Sequence, residues 1–355
     1  MVNLLISTGG SGGHVIPASI LYEHLKNEFN ISISSDERGV RFLDKEKFDI
    51  EIINVPKISK NIFFLPLQIF SIFILTLQSI FYLKKKKIKI IISTGGYMSL
   101  PLCIASKILS LKLFLFEPNM VLGRSNSLFL SSCKKIFCYS ENIKKFPKKF
   151  KKNISIIPPL LRKEFYSTKI ADGFEEEIKL LIIGGSQGAK IFDTIIQESV
   201  VELSKKYKLK IFQQTSSKNF NNLKNFYSKN NIRNELFDFS ENVSKFMAMS
   251  NICITRAGAS TLAELVFLNL VHIVIPLPSA KDNHQVENAL FYQSKGCNWI
   301  INQGEINRKN LTDKLVNIIE NKSEYLSKKQ NMQIFNYQNS WNNVNQKIIN
   351  TINEN

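Results

Sequence analysis

Three apolar runs in this chain end alike: LLISTGGSGGH at residues 4–14, IIISTGGYMSLP at 90–101 and LLIIGGSQGAK at 180–190. A short buried strand that runs into a glycine turn and then into a helical pattern is the signature of a parallel, doubly wound α/β sheet. Clustered glycines cost backbone entropy, and close approach of backbone N–H groups to an anion offsets that cost. In an open parallel sheet such turns lie at the carboxyl ends of the strands, where ligands gather. Two readings remain open: three phosphate-binding turns, or three tight turns without a ligand. Neither GGSGGH nor GGSQGA is the dinucleotide fingerprint, because Val15 stands where G-x-G-x-x-G needs its last glycine, and no Walker lysine follows either turn. Nicotinamide chemistry and ATP hydrolysis therefore recede.

Strand and helix patterns alternate along the whole chain. VNLLIST precedes a helix over about Pro17 to Glu28. IKIIIST at 88–94 precedes one from Leu100, and LFLFEP, KKIFCYS and ISIIPP supply strands at 113–118, 134–140 and 154–159. The pattern restarts after a polar linker near 162–177, with IKLLIIGG, KIFQQT, ELFDFS, ICITR and VHIVIPL as further strands. This places an N-terminal domain at 1–162 and a C-terminal one at 163–337, followed by a polar, helical tail from Ser327. A length of 355 residues suits two domains.

The formal charge of +18 points to an anionic partner, or to lysines that are simply solvated in a composition rich in Ile, Lys, Asn and Phe. Cys103, Cys133, Cys138, Cys253 and Cys297 form no C-x-x-C pair and suggest neither disulfides nor zinc, which fits a reducing compartment. No secretory signal is expected at the N-terminus. Residues 62–83, IFFLPLQIFSIFILTLQSIFYL, are uncharged and long enough to span a bilayer. At about 100° per residue, Gln68, Ser71, Thr76, Gln78 and Ser79 share a polar arc of roughly 160°, which predicts a helix with one wetter side. Lys84 to Lys87 follow at once. The segment reads as a domain helix that touches a membrane, a buried core helix or a true span. The lysine run reinforces the first, since a helix lying on a bilayer and basic residues meeting anionic headgroups act together.

The second half contains RAGASTLAELVFLNLVHIVIPLPSAKDNHQVENA at 256–289. Gly258, Ala259 and Ser260 open a helix, and Glu264 lies one turn in, where a carboxylate can take both hydroxyls of a ribose. The bland reading makes it a first-turn acid facing the helix dipole. Asp282 to Gln285 add side chains suited to sugar hydroxyls.

GGSGGH, GGY, GGSQGA, RAGASTLAE and DNHQ, in this order over nearly the whole chain, resemble the MurG family of glycosyltransferases. The resemblance implies a GT-B fold: two Rossmann-like doubly wound domains facing across a cleft, with a C-terminal helix at about 338–355 returning to the first domain. It implies an inverting transfer of GlcNAc from UDP-GlcNAc to the C4 hydroxyl of undecaprenyl-diphosphate-linked MurNAc-pentapeptide, in peptidoglycan synthesis. It also implies peripheral attachment to the cytoplasmic face of the inner membrane, an anionic membrane surface as partner, and contacts with other cell-wall synthesis proteins. No cofactor and no metal are expected, and the sequence has no Asp-x-Asp pair.

Carried over residue by residue, the resemblance assigns Ser186 and Gln187 to the diphosphate. Ala259, Ser260, Thr261, Leu262 and Ala263 fall to the uridine side, Glu264 to the ribose, Gln285 to the GlcNAc hydroxyls, and Ser240 to uracil through its backbone. Arg162 matches an interdomain arginine. Ser11, Gly12 and Gly13 border the donor sugar and the acceptor diphosphate, with Tyr97 and Asn119 as further substrate contacts. The chain reads Phe116-Glu117-Pro118-Asn119 where members read His-Glu-Gln-Asn, and Pro159-Leu160-Leu161-Arg162 where they read Asn-Pro-Val-Arg. His14 sits where a base is wanted, and imidazole suits proton transfer near neutral pH. Glu117 as base and a purely hydrogen-bonding His14 are the competing assignments. Two other classes stand beside the transferase. A non-hydrolysing UDP-GlcNAc epimerase shares fold and donor but gives no reason for an exposed apolar helix. A nucleic-acid binder needs aromatics interleaved with its lysines, a pattern confined here to KKFPKKFKK at 144–152, so no nucleic acid is expected.

Overall fold

The computed structural model describes residues 1–56, 63, 65–168, 170, 176–184, 190–238 and 243–355. These divide into two compact units, Met1–Leu160 with Ser340–Asn355, and Leu161–Asn339.

The first unit is built on β1 (Val2–Ser7), β2 (Phe29–Ser35), β3 (Ile50–Ile52), β4 (Ile90–Ser93), β5 (Lys112–Glu117), β6 (Lys135–Cys138) and β7 (Ile154–Ile156), in the order β3-β2-β1-β4-β5-β6-β7. Every pairing is parallel. Helices cover both faces of such a sheet, so β1, β4 and β5 are apolar on both sides and bury Leu4, Leu5, Ile6, Ile91, Ile92, Phe114 and Leu115. The helices are α1 (Gly12–Leu25), α2 (Glu37–Val40), α3 (Leu65–Lys85), α4 (Leu100–Ile108) and α5 (Arg124–Phe129). Helix α1 begins at Gly12 and not near Pro17. Its buried apolar stripe starts late because glycines contribute no side chains to the pattern, yet Gly12, Gly13 and His14 already belong to the first turn.

Helix α3 turns most of its polar arc inward and its apolar side outward. Gln68, Thr76 and Ser79 are buried, Ser71 is half-buried, and of that arc only Gln78 is exposed. The apolar side faces outward, with Leu67, Ile69, Phe70, Phe73 and Phe81 all more than half exposed. Thr76 and Ser79 donate to the carbonyls of Ile72 and Leu75, so the buried hydroxyls are satisfied within the helix itself. The amphipathic period is the expected one, and an exposed apolar side is what the membrane-touching reading of the segment requires.

The second unit repeats the plan with β8 (Ile178–Ile183), β9 (Leu209–Gln214), β10 (Arg233–Phe237), β11 (Ile252–Thr255), β12 (Val271–Val274) and β13 (Trp299–Ile300), ordered β10-β9-β8-β11-β12-β13. These strands too are all parallel. Its helices are α6 (Ile195–Ser204), α7 (Phe220–Lys229), α8 (Val243–Met249), α9 (Ala259–Phe267), α10 (His284–Ser294), α11 (Arg308–Glu320) and α12 (Lys322–Asn336).

The tail forms α13 (Trp341–Asn353), which packs on the first unit through Val344, Ile348 and Ile352, an i, i+4, i+8 stripe. Trp341 stacks on His24 of α1 with ring centroids 3.7 Å apart. Burial there pushes His24 down to about 4, so its imidazole is neutral under the indole at neutral pH.

Candidate active site

Strand order reverses between β1 and β4 in the first unit, and between β8 and β11 in the second. Adjacent loops diverge at such a switch point and leave a crevice over the strand ends.

In the first unit the two S-T-G-G turns stand side by side at that point. Thr94 Oγ1 donates to Thr8 Oγ1 at 2.8 Å, which locks the end of β4 to the end of β1. Gly9 has φ +153° and a Cβ on it would stand 2.8 Å from Asp36 Oδ1, while Gly10, in open space, is kept glycine by its φ of +83°. Ser11 caps α1 in an extended conformation without using its hydroxyl on the helix, and Gly12 and Gly13 follow as its first residues. The turn therefore presents a side-chain hydroxyl and helix N-terminal N–H groups, a combination suited to an anion.

His14 is half-buried, and its Nδ1–H donates to the Thr94 carbonyl at 2.8 Å. A carbonyl only accepts, so this bond fixes the tautomer and leaves the Nε2 lone pair as the acceptor. Gly96, at φ +80°, lies against the ring edge, where an added Cβ would come within 3.6 Å of Nε2. The GGY turn is thus the wall beside the imidazole, and Tyr97 follows it half-buried.

Glu117 is placed differently from the base role considered for it. Its Oε1 accepts from the Asn119 backbone N–H and Nδ2, at 3.3 and 3.0 Å, and its Oε2 from Gly123 N–H and Asn126 Nδ2, at 2.7 and 3.0 Å. Two donors on each oxygen fill its lone pairs, and the residue is buried. Glu117 holds the loop after β5 in shape and carries Asn119, while the imidazole keeps an open lone pair.

In the second unit Gly258 caps α9, and Ala259, Ser260 and Thr261 form its half-buried first turn. The side chains of Leu262 and Ala263 are packed in the hydrophobic core, which leaves these two only backbone groups to offer a ligand. Only the first three of the five residues present side chains outside it. Glu264 is buried and already partnered, its Oε1 lying 3.3 Å from Arg162 Nη2. Burial pushes the Glu264 carboxyl up, and the Arg162 guanidinium opposes that shift. Gln285 Oε1 accepts from Ala257 N–H at 3.2 Å and Leu277 N–H at 2.9 Å, tying the loops after β11 and β12 together. Both protein bonds use its oxygen, so the Nε2 amide hydrogens remain for a ligand. Asp282 and Asn283, at φ +55° and +57°, lead into that position in the left-handed region, a strained lead-in of the kind that accompanies binding loops. Ser186, Gln187 and Ser240 lie outside the described residues.

Two contributors went unread in the sequence. Asp36 Oδ1 accepts from Gly10 N–H at 2.6 Å, and Arg256, buried at the end of β11, donates to the carbonyls of Ile275 and Pro276 at 3.0 and 3.3 Å. The strand FNISISS before Asp36 was overlooked for its serines, and with it the acidic residue at the end of a second strand that such folds use beside the glycine turn.

The chain is similar to known proteins over nearly its whole length. Residues 4–138 match the glycosyltransferase family 28 N-terminal domain, and residues 179–344 the glycosyltransferase family 28 C-terminal domain. A protein of Pelagibacter ubique (strain HTCC1062), named UDP-N-acetylglucosamine--N-acetylmuramyl-(pentapeptide) pyrophosphoryl-undecaprenol N-acetylglucosamine transferase, is 58% identical over 352 residues, 99% of each chain. The crystal structure of Acinetobacter baumannii MurG superposes with a TM-score of 0.76 at 22% identity, covering 95% of this chain and 99% of that one. A UDP-GlcNAc 2-epimerase from Neisseria meningitidis shares the fold with a TM-score of 0.66 at 14% identity, over 100% of both chains. With both domain models matched in order and a full-length relative well above half identical, the chain belongs to glycosyltransferase family 28, among the MurG transferases.

Proposed function

We propose that the protein transfers GlcNAc from UDP-GlcNAc to the C4 hydroxyl of undecaprenyl-diphosphate-linked MurNAc-pentapeptide, inverting the anomeric carbon. The observation that carries this reading is the 58% identity, over 99% of either chain, to a transferase named for that donor and acceptor. On the second unit Ser260 and Thr261 meet the nucleotide, Glu264 the ribose and Gln285 Nε2 the sugar hydroxyls. Ser186 and Gln187 join them by their match to the GGSQGA motif, and Ser240, where members of the family carry an apolar residue, contacts uracil through its backbone. On the first unit Ser11, Gly12 and Gly13 border the donor sugar and the acceptor diphosphate, Tyr97 and Asn119 are further substrate contacts, and His14 Nε2 takes the proton from the attacking hydroxyl as the bond to UDP breaks. The outward apolar side of α3 and the exposed Lys84 to Lys87 support peripheral attachment to an anionic cytoplasmic membrane face, where the acceptor resides.

Incubation with labelled UDP-GlcNAc and a short-chain, soluble acceptor tests the reading, with the labelled disaccharide as the expected product. Release of the 2-epimer of UDP-GlcNAc without transfer would assign the protein to the epimerases instead. N–H groups and helix N-termini are expected to offset the charge of the departing diphosphate, so excess chelator should leave the rate within about twofold. Loss of turnover that magnesium restores would refute that.

Glu264→Ala should weaken UDP binding by roughly tenfold to 150-fold, the range for hydrogen bonds to a charged group, with the fold intact because Arg162 keeps Glu164 at 3.4 Å. Unchanged affinity by calorimetry would make the Arg162 pair the whole role of Glu264.

A further inference from the structure

The segment Asp36-Glu37-Arg38-Gly39-Val40-Arg41-Phe42 forms a second wall of the first glycine turn, and the transferase reading gives it no task. The wall is fixed at three points. Asp36 Oδ1 accepts from both Gly10 N–H and Gly39 N–H, at 2.6 and 3.0 Å. Gly39 packs so closely that an added Cβ would lie 3.0 Å from Gly9 Cα, and the Phe42 ring lies within 3.7 Å of where a Cβ on Gly12 would stand. Arg38 is held on one edge only. Its Nε donates to Asp36 Oδ2 at 2.7 Å, and its Nη2 to the Tyr97 hydroxyl and, at 3.4 Å, to Met98 Sδ. The guanidinium thereby bridges the GGS and GGY turns, with Nη1 unpaired and the side chain 42% exposed. Burial pushes the Asp36 carboxyl up, but the Gly10 amide and the Arg38 guanidinium more than reverse this and hold it below the usual range, so it is charged.

A carboxylate bonded to an anion-binding turn repels the anion unless a cation offsets it. Arg38 supplies that cation and keeps donors to spare in a fork that suits phosphate oxygens. The other acidic side chain of the wall, Glu37, is engaged with Asn54 Nδ2 at 3.0 Å. We infer that Arg38, positioned by Asp36 and Tyr97 between the two glycine turns, is a ligand for the diphosphate of the acceptor. This rests on the transferase reading.

Arg38→Gln should raise the KM for a soluble diphosphate acceptor about tenfold to a hundredfold, with the KM for UDP-GlcNAc and kcat within about twofold. The penalty should shrink for an otherwise identical acceptor bearing one phosphate. Arg38→Lys, which keeps the charge but loses the fork, should fall between the two and covers the case in which the glutamine variant does not fold. An unchanged acceptor KM, or a fall in kcat with no change in KM, would reduce Arg38 to the counter-ion of Asp36. Titration of inorganic diphosphate into the full chain saturated with UDP separates this inference from the transferase reading. Binding weakened at least tenfold by either exchange supports the site even if no sugar is transferred, and equal binding overturns it.

Discussion

Replacing His14 by alanine should lower kcat by about two to four orders of magnitude while leaving UDP affinity within about twofold. The size follows from what the structure leaves open. Proton removal from the attacking hydroxyl needs a lone pair at the crevice, and the Nδ1 bond to the Thr94 carbonyl commits the imidazole to offering Nε2. The buried carboxylate of Glu117, with two donors on each oxygen, offers none. The fold should survive, because the side chain is half-buried and the exchange removes one hydrogen bond to a carbonyl at a loop end. Single-turnover rates with the soluble acceptor measure the step directly, and the thermal midpoint reports on folding. A rate within tenfold of the parent would leave His14 a purely hydrogen-bonding residue and move the search for the base elsewhere on the first unit.

The difference between His14 and Glu117 shows which parts of the site a sequence displays. Glycine turns are legible because strand, turn and helix follow one another within a dozen residues, and their chemistry is largely backbone chemistry. LLISTGGSGGH and RAGAST both open crevices at switch points, and both glycine turns of the first unit stand beside His14. Side-chain roles depend on partners far away in the chain, which no local spacing reveals. Glu264 meets Arg162, Asp36 meets Gly10, and Arg38 meets Tyr97. Leu262 and Ala263 show the same limit, since the helical period turns their side chains into the core while those of Ser260 and Thr261 stay outside it. The sheets were legible where strands were continuous apolar runs. FNISISS, with three serines on a strand buried at all but one position, escaped because burial there is satisfied by small residues as well as apolar ones.

Helix α3 makes the second large prediction, because its exposed apolar side and the lysine run beside it are two separable attractions to a bilayer. Exchange of Lys84, Lys85 and Lys87 for glutamine should weaken binding to anionic vesicles about a hundredfold, at about 1 kcal/mol for each basic residue near such a surface. Lys86 is left in place because it is paired with Asp49 at 3.0 Å. Exchange of Phe70, Phe73 and Phe81 for serine should weaken it by at least as much, since burying one such ring in an apolar medium contributes about 1.5–3 kcal/mol. Those rings are 60%, 55% and 76% exposed, so the fold loses little when they go, and the thermal midpoint should stay near that of the parent. Salt separates the two sets. Raising ionic strength shortens the Debye length and should erase the difference between the lysine variant and the parent, while the phenylalanine variant stays weak throughout. Turnover of the soluble acceptor should be unaffected in both, because neither set belongs to the glycine turns or to His14. Vesicle binding by the phenylalanine variant equal to that of the parent would show that the outward side of α3 meets something other than lipid, and equal loss of soluble turnover would place it in the acceptor site.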